Sequence, residues 1–377
     1  MAWWRDDPAF RAVARAFPVN GDFEDQVGGP LDVRAVVASV PRGVWDTFAH
    51  ERLPWDRFPC GSQAATDVAE LRSDDTETVR HGLRDLRGSL ANSSWSPCAL
   101  AVPFLLRIAA DPGGRCRAEA LVLAADTARR TRGPSTWIRE EFLRVADGWC
   151  FEPSGYPGNR AIEAARAAIA TDADLLLPLL DDPDTDIRTA AAHVLAATSG
   201  RLDDIRRAFH ARLRVEDDPT VRAGLVLAIA QLAHEHPATD TGCQAWIRAL
   251  WHDPANPPEV RTSAAIAWLC LTDAPVPDEL RTTLDACATE TTARLMAPLP
   301  RMRAIDHTGD TALHRCLRTL LDPDDVEHET DDPWATPAEA VPATTEKRRD
   351  PAHDTHTRPA PRDPWPRVAG CADDPPF

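Results

Sequence analysis

The sequence predicts an all-α fold in which helix pairs stack as a solenoid, and three observations predict it. A helix-turn-helix unit with an acidic, proline-marked turn recurs along the chain. Equivalent arginines in three successive copies lie 34 and then 39 positions apart. No strand is evident between the copies. Self-similarity at such an interval marks an architecture in which each unit buries its apolar face against the next.

The unit is clearest in "LLLPLLDDPDTDIRTAAAHVLAATSG", Leu175 to Gly200. An apolar run, Leu175 to Leu180, stops at "DDPD". Apolar residues return at Ile187, Ala190, Ala191, Val194 and Leu195, the spacing of a helix with one buried face. Asp182 or Asp184 offers a carboxylate to the open amides of the second helix, Pro183 stands where no amide donor is needed, and Gly200 is a stop signal. The alanines at 190–192 and 196–197 keep this helix narrow, which lets neighbours approach closely.

"HARLRVEDDPTVRAGLVLAIAQLAHE", His210 to Glu235, repeats the plan with Pro219, Val221 and Arg222 in the places of Pro183, Ile187 and Arg188. "IRALWHDPANPPEVRTSAAIAWLCLTDA", Ile247 to Ala274, does so again with Asp253, Pro254, Val260 and Arg261, and its inserted "ANPP" accounts for the longer interval. Upstream, "VAELRSDDTETVRHGLRDLRGSL" (Val68 to Leu90) and "AVPFLLRIAADPGGRCRAEALVLAADTARR" (Ala101 to Arg130) bring the visible copies to five.

With their "DP…VR" turns, these units resemble HEAT repeats. The combination of "DVAEL", a paired-acid turn and "AVPFLLRIA" resembles more narrowly a group of actinobacterial HEAT-repeat domain-containing proteins. The resemblance spans roughly Asp67 to Ala274. It implies a right-handed α-α superhelix of the ARM type, with a ladder of turn acids and arginines along one ridge: Asp182 with Arg188, Asp218 with Arg222, and Asp253 with Arg261. Such solenoids serve many unrelated tasks, so it implies architecture and leaves activity open.

Three regions follow. Residues 1–66 read as a helical cap, with helical pieces at Pro8 to Phe17 and Leu31 to Val40 and a concentration of aromatic and apolar side chains at Trp45, Phe48, Leu53, Trp55 and Phe58. A cap must cover the open apolar end of the first layer. The same side chains, if exposed, would instead form an interface hot spot. Residues 67–321 hold the repeats, with an insertion near 131–161 in which Thr136 to Val145 reads as a helix and "FEPSGYPGNR" as turns. Beyond it, Ile162 to Thr171 is an alanine-rich helix, and "VPDELRTTLDACATE" and "DTALHRCLRTLLDPDD" supply the last layers. Residues 322–377 carry 14 Asp and Glu against 6 Lys and Arg, with eleven Pro. Their few aliphatics cannot offset the entropy of ordering, so this segment is expected to be a disordered acidic tail.

The formal net charge is −17, and an acidic chain repels phosphate backbones on average, which counts against nucleic acid as the main ligand. None of the nine cysteines is two or four residues from another, so a local zinc motif is absent, and their scatter fits reduced thiols. "MAWWRDDPAFRAVARAF" has acids among its first seven residues and no long apolar run, unlike a signal peptide. No run of about 18 apolar residues is present to cross a bilayer. The expected compartment is the cytoplasm.

Catalytic, cofactor and metal sites find no support in the motifs, and none is expected. His234 and His236 flank Glu235 at a helix end, where positions i and i+2 point apart and chelate poorly. Cys98, in "WSPCALA", stands near a helix start where amides lower a thiol pKa, but its small size suits packing and no base can be assigned to it. The candidate partner contacts are Trp137, Trp149, Phe151 and Tyr156, because an insertion in a solenoid emerges on one edge and is where relatives differ in binding. The function expected is a non-catalytic scaffold or adaptor, a monomer binding a basic protein partner, with an immunity-like role as one form. The alternative is an enzyme or enzyme subunit of the lyase or base-excision type.

Overall fold

The computed structural model describes residues 32–92, 94–129, 139–145, 152, 158–237, 242–272, 274–305 and 311–321. The chain divides after Thr330, and all described residues belong to the first unit. They are helical, with no strand among them.

The first layers are α1 (Val33–Ser39), α2 (Arg42–Asp46), two short 3-10 turns, α3 (Gly61–Glu70) and α4 (Thr76–Ala91). Trp45, Phe48, Leu53, Trp55 and Phe58 are no more than 9% exposed. Trp45 meets Phe104 edge-on at 5.0 Å, Phe48 lies 4.7 Å from the same ring, and the Trp55 indole donates to the His50 carbonyl at 2.7 Å. These side chains are therefore core, and the hot-spot reading of them is overturned: each ring is spent on the chain's own helices. Gly61 is required here, since a Cβ would fall 1.7 Å from the Trp55 carbonyl oxygen.

Next come α5 (Trp95–Ala110), α6 (Arg117–Thr127), the short α7 (Arg139–Phe142), α8 (Gly158–Thr171) and α9 (Ala173–Leu176), which runs into a 3-10 turn at Leu177–Asp181. They are followed by α10 (Thr185–Leu195), α11 (Leu202–Leu213), α12 (Pro219–Glu235), α13 (Cys243–His252) and α14 (Pro258–Leu271). The apolar run expected as one helix over Leu175 to Leu180 is thus split. Pro178 lacks an amide donor and sits at the start of the tighter turn. Pro183 falls just outside α10, whose cap is Asp184, accepting from the Asp186 amide at 2.8 Å. Asp75 and Asp218 cap α4 and α12 in the same way, so three of the turn acids recognised in the sequence act as helix starts. In α14 the "ANPP" insertion replaces that cap, with Pro257 at the cap position and Pro258 opening the helix.

Packing explains the composition of these helices. α4, α6, α10, α12 and α14 form an inner row, each against the next, while α3, α5, the Leu177–Asp181 turn, α11 and α13 back them one by one. Two of the backing helices bury one face only: α11 buries Ile205 and Phe209, and α13 buries Cys243, Ile247 and Trp251. By contrast, α12 is buried without interruption from Leu225 to Ala233, and α14 from Thr262 to Cys270. A helix apolar all round must be covered on both sides. The second cover comes from the C-terminal end of the unit and from the insertion: α16 (Glu290–Met296) packs on α12 and α14, and α18 (Ala312–Leu321) and the insertion's α7 pack on α14. α15 (Asp278–Cys287) continues the backing side, and α17 (Pro300–Ile305) joins α16 to α18.

The helix expected over Leu31 to Val40 appears as α1, and that over Thr136 to Val145 as α7 in its described part. The Pro8 to Phe17 helix and the tail at 322–377 lie outside the described residues. No helix among the described residues is long and apolar enough to cross a membrane.

Candidate functional site

The turns of the repeat are built from arginines that face inward and acids that divide between two roles. Arg188 donates through Nη1 to the main-chain carbonyls of Asp182 (2.8 Å) and Pro183 (3.1 Å) in its own turn. Its Nε and Nη2 then grip both oxygens of Glu216, in the following unit, at 2.9 and 3.1 Å. Arg222 repeats this: Nη1 reaches the Asp217 carbonyl at 2.7 Å and Nη2 reaches Glu259 of the next unit at 2.5 Å. Upstream, Arg117 donates to the Ala109 carbonyl at 2.8 Å and pairs with Asp182 at 2.9 Å.

The carboxylate partner of each of these arginines thus comes from the next unit, while its own turn supplies carbonyls. For the pairs drawn from the resemblance, Asp182 is held by Arg117, Asp218 caps α12, Asp253 accepts the Ala255 amide at 2.9 Å, and Arg261 donates to the Trp251 carbonyl at 3.1 Å. Guanidiniums long enough to cross from one layer to the next rivet neighbouring units together. Burial pushes the Glu216 carboxyl up, but hydrogen bonds from Arg212 and Arg188 outweigh it and hold the group at about 2.

With those arginines turned inward, acids predominate among the exposed charges on the rim of the turns, beside the exposed Arg72, Arg80, Arg115 and Arg214. Asp74, Asp75, Asp111, Asp184, Asp186, Asp217 and Asp253 are exposed along successive turns. Val215, beside Asp217, is a large apolar side chain left 65% exposed.

A second polar feature lies inside. Thr189 and His193 of α10, Gly224 and Gln231 of α12, and Leu299 to Arg301 around the start of α17 line a cavity of about 20 Å³. Arg129, just past α6, stands behind it, donating to the carbonyls of Ala125 (2.9 Å) and His193 (2.6 Å) and to Gln231 Oε1 (3.1 Å). Arg301 donates to the Phe142 carbonyl and lies 5.5 Å from the centre of the Phe142 ring. Burial lowers the Arg301 guanidinium to about 10 and also drives that of Arg129 well below its ordinary value, with Arg301 adding to the latter by repulsion. Burial, then Arg129 and Arg301, likewise depress the His193 imidazole and keep it neutral.

The four insertion residues read as partner contacts, Trp137, Trp149, Phe151 and Tyr156, lie outside the described residues. The described parts of the insertion are tied inward. Arg139 Nε donates to the Leu320 carbonyl at 2.6 Å, and the Val145 amide donates to Glu235 at 2.8 Å. Glu152, 3% exposed, sits at the first turn of α5, accepting from the Ser96 amide (2.7 Å) and hydroxyl (2.6 Å). Burial raises its carboxyl to about 7 against those two hydrogen bonds. Cys98 is fully packed one turn on, its thiol donating to the Leu86 carbonyl at 3.4 Å. Burial, with Glu152 and Asp67 nearby, pushes that thiol far from ionisation. Among the described residues no group of three or more His, Cys, Asp and Glu side chains is placed to hold a metal ion.

Sequence reasoning missed the Arg129, His193 and Arg301 cluster. The cluster is assembled across the chain, Arg129 meeting His193 64 positions on and Gln231 102 positions on. No protein-family model, curated protein or solved structure matches the chain.

Proposed function

We propose that the chain is a HEAT-type right-handed α-α superhelix that works as a non-catalytic, monomeric protein-interaction scaffold or adaptor for a basic protein partner. One observation carries this reading: Arg117, Arg188 and Arg222 are consumed in holding unit to unit, so carboxylates outnumber cations on the rim. A surface of one sign selects a partner of the other by complementary potential and speeds encounter. The α12 and α14 end of the inner row, part of the usual groove of such a stack, is covered by the chain's own α7, α16 and α18, which favours recognition at the rim. Neutralisation of a basic toxin is one form this role takes.

The alternative, an enzyme of the lyase or base-excision type, finds less support. A base-excision enzyme needs cations facing its phosphate chain, whereas Arg188 and Arg222 are bound to Glu216 and Glu259. The test is affinity purification of the tagged full chain from its source cells with quantitative mass spectrometry. A variant carrying Asp184→Asn, Asp186→Asn and Asp217→Asn is run in parallel. A stoichiometric basic protein captured by the native rim and lost from the variant supports the reading. Equal capture by both, or none by either, counts against it.

A further inference from the structure

We infer that the cavity between α10, α12 and α17 is a binding site for a small monovalent anion of chloride size, held by the Arg301 guanidinium. Arg301 is only 8% exposed and lines the cavity, and its Nη2 has no hydrogen-bond partner. Arg129 Nε, just behind, has none either. Their partners are carbonyls, an amide oxygen and an aromatic face, all uncharged.

The nearest carboxylates are committed elsewhere: Asp126 to Arg87 at 2.7 Å, and Glu235 to Arg166 at 3.2 Å and the Val145 amide. Two buried guanidiniums within repelling range and without a counterion of their own are costly, and a bound anion removes that cost. The titratable and charged groups around them are Arg166, Glu235, Asp126, Cys270, Cys316 and His193, and none supplies a free negative charge at neutral pH.

Size and lining choose the class of ligand. About 20 Å³ admits one group the size of a water molecule. Leu227, Ala228 and Leu299 complete the wall beside Thr189 and Gln231, an environment for a weakly hydrated single ion. Half-buried His193, Gly224 and Pro300 give it a route to solvent. The site is independent of the partner-binding reading, because none of its residues lies on the rim.

Chloride NMR line broadening on the full chain tests this, with sodium gluconate holding ionic strength constant and sulfate as a larger competitor. Expected is a saturable excess broadening, displaced by bromide and not by sulfate, that falls to background in Arg301→Gln. Gly224→Ala is the second variant, for the case in which Arg301→Gln does not fold. Its added methyl would lie 3.2 Å from Leu299 Cδ2 and 3.7 Å from Thr189 Cγ2, a fit that needs little adjustment and takes up the space of the ion. Saturable binding that survives in Gly224→Ala, or broadening in the native chain that never saturates, overturns the proposal.

Discussion

Glu152 and Glu216 are both buried carboxylates, yet their acidities lie on opposite sides of the ordinary range, at about 7 and about 2, and they bend stability in opposite directions. Glu152 binds its proton more tightly folded than unfolded, so its contribution is complete below the unfolded value of about 4.3 and is lost as pH rises through about 7. Glu216 is the reverse: its contribution is present above the unfolded value and disappears as pH falls toward about 2. His193, held neutral, adds a loss of stability below about pH 6.5, which opposes the Glu152 slope. Comparison with Glu152→Gln at each pH isolates the first effect. Urea titrations should show native stability falling relative to the variant between about pH 4.5 and 7.5, by on the order of 3 kcal/mol; parallel curves would remove the raised acidity. None of this was legible in sequence. Ser96 and Glu152 are 56 positions apart, and Arg188 meets a carboxylate 28 positions on. The turn motif named the right arginine but pointed to its own turn, because sequence spacing does not reveal that a guanidinium spans a layer.

Among the elements, α4 contains two glycines with opposite prospects. A Cβ at Gly82 would stand 2.6 Å from the Asp67 carbonyl and 3.1 Å from Glu70 Cβ, so this glycine sets how closely α3 and α4 approach. At Gly88 a Cβ meets nothing within 4 Å. Gly82→Ala is therefore expected to destabilise by about 1–3 kcal/mol despite its better helix propensity. Gly88→Ala should stabilise by up to about 1 kcal/mol. Chemical denaturation of the two variants checks this, and the same sign for both would contradict the packing. The elements with capped starts were legible, since Asp75, Asp184 and Asp218 carry both the motif and the hydrogen bond. α16 and α17 were not, because Met296, Leu299, Met302 and Ile305 are interrupted by Pro298 and Pro300 and show too short a period to read. The hint lay elsewhere, in "GLVLAIAQLA" and "SAAIAWLC", whose all-round apolar character calls for a cover on each side.

At the scale of the whole described unit, that cover decides where a partner binds. If α7, α16 and α18 seal the inner row, α12 and α14 are core and recognition passes to the acidic rim. If they lift away, the inner row becomes an apolar groove and the rim loses its role. Native-state hydrogen exchange on the full chain separates the two. The sealed arrangement predicts that amides from Leu225 to Leu232 and from Ala264 to Cys270 exchange only at the free energy of global unfolding, together with those of α16. Exchange of these amides through a local opening well below that free energy, with α4 and α6 still protected, would contradict it.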